Sequence, residues 1–165
     1  MKILFRYALF FGFATAFGNP APNFDWDGAG SKLTSLKSVR GGSSVCLLVA
    51  KSPKDKAFRE QVKKLEELYQ EFASRKVVFA AAFFEDAGGR IPSDIPFAVA
   101  SNGQQVIADY GVKDSFNIIV IGPDGNIDMQ SNKVIPATRL RDLVISTFAV
   151  QNEERPAPAP AEEHR

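Results

Sequence analysis

The sequence predicts an α/β fold with a central four-stranded mixed sheet flanked by helices. Three observations lead there. Val45 to Ala50 and Lys76 to Phe84 are two short, almost wholly apolar runs, as strands covered on both faces require. Between them Phe58, Val62, Leu65, Leu68, Tyr69 and Phe72 recur at three- and four-residue spacing among Lys, Glu and Gln, which reads as one amphipathic helix of several turns. Strand, helix and strand make a βαβ unit, whose right-handed crossover implies two parallel strands. Finally, Gly122-Pro123-Asp124-Gly125-Asn126 is a strong turn between Asn117–Ile121 and Ile127–Ser131, which adds an antiparallel hairpin to the same sheet.

The remaining elements follow in chain order. Asn19 to Gly42 is rich in Pro, Gly, Asp and Ser and reads as an irregular or hairpin-like lead-in, with Phe24 and Trp26 packing on the domain edge. Leu33, Leu36 and Val39 suggest a short turn of helix before Gly41-Gly42. Ser52-Pro53-Lys54-Asp55 reads as the start of the long helix: Ser52 can cap, Pro53 suits the first helical position, and an acid suits the positive helix end. Glu85 to Pro96 is a loop broken by Gly88-Gly89, Pro92 and Pro96. Phe97 to Ala100 is short and apolar, and Asn102 to Tyr110 is a brief helix stopped at Gly111. Pro136 to Val150 is the last helix, with Leu140, Leu143, Val144 and Phe148 on one face. From Gln151 the chain is Pro, Ala, Glu and Arg, a composition that cannot bury a core, so residues 151–165 are expected to be disordered.

Composition excludes several function classes. The 165 residues carry 45% hydrophobic and 24% charged side chains, enough for one globular domain. A formal charge of +1, with basic and acidic residues interleaved, leaves no footprint for nucleic acid. One cysteine permits neither an internal disulfide framework nor a Cys-rich zinc site. The one histidine, His164, stands next to the last residue of the polar tail, so chemistry that needs a buried imidazole is not expected.

Residues 1–18 read as an export signal. Lys2 and Arg6 form the basic region, Tyr7 to Phe17 is apolar, and small residues stand at Ala14, Ala16 and Gly18 before Pro20. Cleavage is expected after Gly18, with Ala16 as the alternative site. The apolar run is short for a membrane-spanning helix, which makes an uncleaved anchor the lesser reading. Loss of Lys2 and Arg6 takes the side-chain charge from +1 to −1. The expectation is a periplasmic or secreted protein with a domain over 19–150 and no membrane contact beyond the signal.

The order βαβ, short helix, ββ hairpin and terminal helix is that of the thioredoxin fold. The chain also resembles thioredoxin-like proteins in detail. Pro22-Asn23-Phe24, Asp27-Gly28, Leu33-Thr34-Ser35-Leu36 and Val39-Arg40-Gly41-Gly42 are similar to the lead-in of the alkyl-hydroperoxide-reductase and thiol-disulfide-oxidoreductase branch. Tyr110-Gly111-Val112, Phe116, Ile121-Gly122, Asp124-Gly125 and Ser131 resemble most an uncharacterised domain family. That family is shared by bacterial exported proteins and the DUDES domains of animal matrix proteins.

What the resemblance implies about activity is negative. The oxidoreductases carry Cys-x-x-Cys at the helix start, where the positive helix end stabilises a thiolate. Here Ser52-Pro53-Lys54-Asp55 aligns with it, Ser52 at the nucleophile and Asp55 at the resolving position. A peroxiredoxin Pro-Thr-Cys pattern is also missing, and the position of the cis-proline that faces the active cysteine falls on Ser115-Phe116. Cys46 lies mid-strand among Val and Leu, where a thiol acts as a small buried hydrophobe.

Two polar sets stand out beside this. Glu85, Asp86 and Arg90 follow the second strand at the carboxyl edge, where open α/β sheets place ligands, and Ser52, Lys54 and Asp55 belong to the same edge. Solvated loop charges are the simpler reading, and a metal there would need oxygen ligands, which suits only a hard cation such as calcium. Lys51, Lys54, Lys56, Lys63 and Lys64 read as a solvated helix face, with anion binding at the helix start as the minor alternative.

The expected function is therefore a redox-inactive exported thioredoxin-fold module that binds or supports a protein of the cell envelope or extracellular space. It has no catalytic residues, cofactor or metal, and its oligomeric state is left open. The alternative is an atypical enzyme, hydrolase or oxidoreductase, working at the polar edge formed by Ser52, Lys54, Asp55, Glu85, Asp86 and Ser115. Ser52 would need help from Lys54 or Asp55, or Asp55 and Glu85 would act as a carboxylate pair, but no general base with a suitable pKa is visible. Thiol chemistry through Cys46 is a third reading.

Overall fold

The computed structural model describes residues 18–27, 33–86 and 90–154. Residues 1–17 of the expected export signal, Gly88-Gly89 and the tail from 155 onward lie outside the described residues.

Twelve short elements are described. In order they are β1 (Asp25–Asp27), β2 (Leu33–Ser35), α1 (Leu36–Val39), β3 (Ser44–Ala50), α2 (Lys56–Glu66), α3 (Tyr69–Ala73) and β4 (Val77–Phe83). There follow β5 (Ala98–Val99), α4 (Gly103–Asp109), β6 (Phe116–Ile121), β7 (Ile127–Ser131) and α5 (Ala137–Glu154). The main sheet runs β5-β4-β3-β6-β7. Strand β3 is parallel to β4 and antiparallel to β6, and β7 returns antiparallel on β6. This is the expected mixed sheet with one strand more than the four expected. The fifth, β5, is only two residues long and pairs in parallel with Ala80 and Ala81. So short a run is a strand only because β4 offers its edge, which local pattern does not reveal.

Alternation along β3 builds two cores. Cys46, Leu48 and Ala50 face one side with Phe58, Val62 and Leu65 of α2, Phe72 of α3, and Leu140 and Val144 of α5. Val45, Leu47 and Val49 face the other with Phe24, Trp26, Leu36, Val106 and Tyr110. The lead-in is thus a hairpin, β1 antiparallel to β2, whose Phe24 and Trp26 are buried rather than merely lying at an edge. Tyr110 anchors it: its hydroxyl donates to the Pro22 carbonyl at 2.7 Å.

Three boundaries differ from the sequence reading. The single long helix is two, broken at Glu67-Leu68, where the Leu68 N–H turns back to Leu65 O at 3.2 Å. The apolar spacing runs through the break because both pieces face the same core. Helix α2 begins at Lys56, not at Ser52-Pro53, and its N-cap is Asp55. Helix α5 runs on to Glu154, four residues past its expected end at Val150 and into the segment expected to be disordered. A packed helix extends cheaply through Gln151 to Glu154, whereas Pro156 disfavours helix at the residue before it. The side chain of Phe148 lies outside the described residues.

Candidate functional site

The register brings the polar residues to one end of the sheet. Ala50 closes β3 opposite both Phe83, the end of β4, and Phe116, the start of β6. The chain therefore leaves β3 at Lys51-Ser52 and β4 at Phe84-Glu85, and enters β6 from Ser115, all at the same edge. Two backbone bonds hold the loops together: Glu85 N–H and Asp86 N–H both donate to the Lys51 carbonyl, at 3.0 and 3.1 Å. Lys51 Nζ adds an ion pair with Glu85 at 3.0 Å. Both side chains are about half exposed, so this pair contributes little to stability. The segments that carry Ser52, Lys54, Asp55, Glu85, Asp86 and Ser115 thus leave or enter the sheet at the same end.

The chemistry of that edge is set by where the polar atoms point. Asp55 Oδ1 accepts the N–H groups of Ala57 at 2.9 Å and Phe58 at 3.1 Å. Those are the free donors that give a helix N-terminus its affinity for an anion. In a thiol enzyme they face the thiolate; here a carboxylate of the same chain occupies them. Ser52 Oγ accepts the Lys54 N–H at 3.2 Å, so the serine closes a turn instead of capping the helix. Pro53 is buried beneath the turn. Lys54, Glu85, Asp86 and Ser115 are exposed. Among the described residues no group of three His, Cys, Asp or Glu side chains is placed to hold a metal ion. Asp55→Ala should remove both N-terminal bonds and cost about 1 kcal/mol, measured by urea unfolding, whereas Ser52→Ala should cost less.

Cys46 lies in the middle of β3, opposite Phe79 and Val120, and is 3% exposed. Burial pushes its thiol up to about 12, so it is neutral and inert at any physiological pH. Burial likewise raises Tyr110; the nearby Arg40 guanidinium partly offsets this and Asp109 adds to it. Both groups ionise at lower pH in the unfolded chain than in the folded one. Above the ordinary thiol range of about 8.5 the unfolded state therefore holds fewer protons, and stability falls as pH rises from there toward 12. Cys46→Ala should flatten this alkaline limb, which denaturation at a series of pH values from neutral upward measures.

The sequence reading missed two polar features. Gln61 is fully buried on the core arc of α2, where its amide donates to Ile135 O at 3.0 Å and accepts Ile135 N–H at 2.8 Å. A Gln in phase with Phe58, Val62 and Leu65 was the available signal. The second is Glu66, whose Oε1 accepts the Ser93 hydroxyl at 2.6 Å and the Asp94 N–H at 3.3 Å, tying α2 to the loop before β5. Nothing local to either segment marks that pair.

Solved structures that resemble this one include thiol-disulfide oxidoreductases and peroxiredoxins. A Chlorobium tepidum protein assigned as the thiol:disulfide interchange protein DsbE superposes with a TM-score of 0.64 at 19% identity, over 79% of this chain and 96% of that one. The mitochondrial 2-Cys peroxiredoxin of Plasmodium falciparum gives 0.61 at 17% identity, over 86% and 99%. The thioredoxin domain of a Bacteroides vulgatus thiol-disulfide oxidoreductase gives 0.59 at 16% identity, over 78% and 95%. At these identities the likeness establishes the thioredoxin-like fold and nothing about activity. No curated protein matches the chain. Residues 35–154 match a family described as a domain of unknown function (DUF4174), and the chain belongs to that family.

Proposed function

We propose that this protein is a redox-inactive, exported thioredoxin-fold module that binds a protein partner in the cell envelope or extracellular space. One observation carries the reading. At the strand–helix turn where the fold can hold a reactive thiol, the helix N–H groups are occupied by the Asp55 carboxylate, and the one sulfur that could serve lies inside β3. A thiolate at Cys46 has neither a stabilising donor nor a path to a substrate.

The exported part of the reading rests on the basic and apolar pattern of residues 1–18 and on the resemblance to exported bacterial and DUDES domains. Two of the residues that carry that resemblance, Gly111 and Gly125, serve turns. Gly111 has φ +61 at the end of α4, and Gly125 has φ +85 in a turn where Asp124 Oδ1 accepts the Asn126 N–H at 2.9 Å. They mark a shape rather than a reaction, as suits a binding module.

The test uses the full chain, wild type and Cys46→Ala, in disulfide-reductase and peroxidase assays with thiol titration. Neither form should turn over, and the thiol should label only after unfolding. Activity in the wild type that vanishes in Cys46→Ala overturns the proposal. The N-terminus of the native protein checks export: it should begin at Asn19, and an intact Met1 removes that half of the reading.

A further inference from the structure

The two edges of the main sheet end differently. Beside β5, Trp26 bridges Ala100 and Ser101 N–H donates to Asp25 O at 2.9 Å, so the lead-in hairpin covers the end of that strand. At the other edge the first residues of the domain cover only the start of β7. Pro20 bridges Asn126 in antiparallel sense, Ile127 N–H donates to Asn19 O at 2.8 Å, and Ala21 N–H donates to Gly125 O at 2.9 Å. Among the described residues no second strand lies along the outer side of Met129–Ser131. Ile127–Ser131 contains neither the Lys nor the Pro that commonly keeps an edge strand from pairing.

The direction of the existing pairing decides what fits there. Because it is antiparallel, the amino end of Asn19 points along β7 toward Met129–Ser131. Export cleavage after Gly18, as proposed above, ends the chain at that point and leaves an α-ammonium. A strand added antiparallel to Met129–Ser131 runs on the same line, and its carboxyl end meets this ammonium head to tail. Its last residue takes the place of Gly18. A Cβ in that place falls 2.6 Å from both Cγ and Nδ2 of Asn126, and Nδ2 is itself held by Asp124 Oδ2 at 2.7 Å. Glycine alone fits without displacing that side chain.

Resting on the exported-module reading above, we infer that the open stretch of β7 is where the partner docks. The occupant is a C-terminal segment of the partner protein, extended and ending in glycine. Its main chain pairs with Met129–Ser131, and its terminal carboxylate pairs with the Asn19 α-ammonium. Main-chain bonds of this kind supply affinity, while the glycine and the carboxylate supply selectivity.

The experiment uses the processed protein recovered after export of the full chain, its N-terminus sequenced first. Fluorescence anisotropy follows the peptide Thr-Val-Thr-Val-Gly, labelled at its amino end and free at its carboxyl end. It should bind, and amidation of the carboxylate should weaken it about two- to fivefold, as loss of an exposed ion pair does. A terminal Val in place of Gly should weaken it at least about fivefold, and Asn126→Ala should restore most of that loss. N-methyl groups on alternate residues should weaken binding far more in one register than in the other, since only one set of N–H groups faces β7. The unprocessed chain has no α-ammonium at Asn19 and should show no preference for carboxylate over amide. No binding, equal effects of the two N-methyl registers, or indifference to the terminal residue overturns the inference. So does a carboxylate preference kept by the unprocessed chain, or self-association through this edge that the peptide does not compete away. An N-terminus other than Asn19 overturns it together with the export reading. Failed binding at a confirmed Asn19 overturns the inference alone, and the thiol assays stand apart from both.

Discussion

Replacing Gln61 with leucine is expected to destabilise the protein by about 3 kcal/mol, since it leaves two buried main-chain groups without partners. The Gln61 amide is the bond partner of both the N–H and the carbonyl of Ile135, a residue 5% exposed just before α5. Leucine matches the volume but offers neither a donor nor an acceptor. At a chain length near 165 the loss corresponds to a fall in melting temperature of about 6 to 12 °C, readable by calorimetry. Gln61→Glu separates hydrogen bonding from packing. Its ionised form can accept from Ile135 N–H but cannot donate to Ile135 O, and burial raises its pKa above the unfolded value of about 4.3. A raised folded pKa gives stability that is present at low pH and lost as pH rises, so the deficit of Gln61→Glu relative to wild type should shrink on acidification. A deficit that stays constant with pH contradicts this account.

Gly103→Ala is the second large effect. The first turn of α4 passes so close to the end of β4 that a Cβ at position 103 overlaps the Phe83 carbonyl oxygen and falls 2.5 Å from its carbon. Both are backbone atoms of a sheet strand, so no rotamer change relieves the overlap. Either α4 lifts off or β4 bends, at a cost of about 3 kcal/mol or more. Gly42→Ala is the contrast: the nearest atom to its Cβ is Val39 O at 3.9 Å, and the change should be neutral within about 0.5 kcal/mol. Urea unfolding of the two variants together makes the comparison. Similar midpoints contradict the close approach of α4 to β4.

Function at this fold edge turns on occupancy rather than on residue type alone. The resemblance to thiol enzymes implies that Ser52 and Asp55 stand where those carry cysteines. The structure adds that Asp55 itself accepts the N–H groups of Ala57 and Phe58, donors that an anion at the helix start would use. The lysines on this helix then read as solvated charge.

What the sequence determined by itself is the set of elements with a strong local signal. The apolar runs at Val45 and Val77, the turn at Gly122 to Asn126, and the helix stop at Gly111 each rest on side-chain alternation or backbone permissiveness within a few residues. Cys46 was placed in a buried strand for the same reason. Tertiary structure alone decided whatever needed a distant partner: β5 is a strand because β4 has a free edge, and Gln61 is satisfied because Ile135 lies against it across 74 positions. The bond from Ser93 to Glu66 has the same origin, since the two meet only after the chain has crossed the sheet and returned. Local pattern records what a residue prefers; only the packed fold supplies the neighbour that makes the preference count.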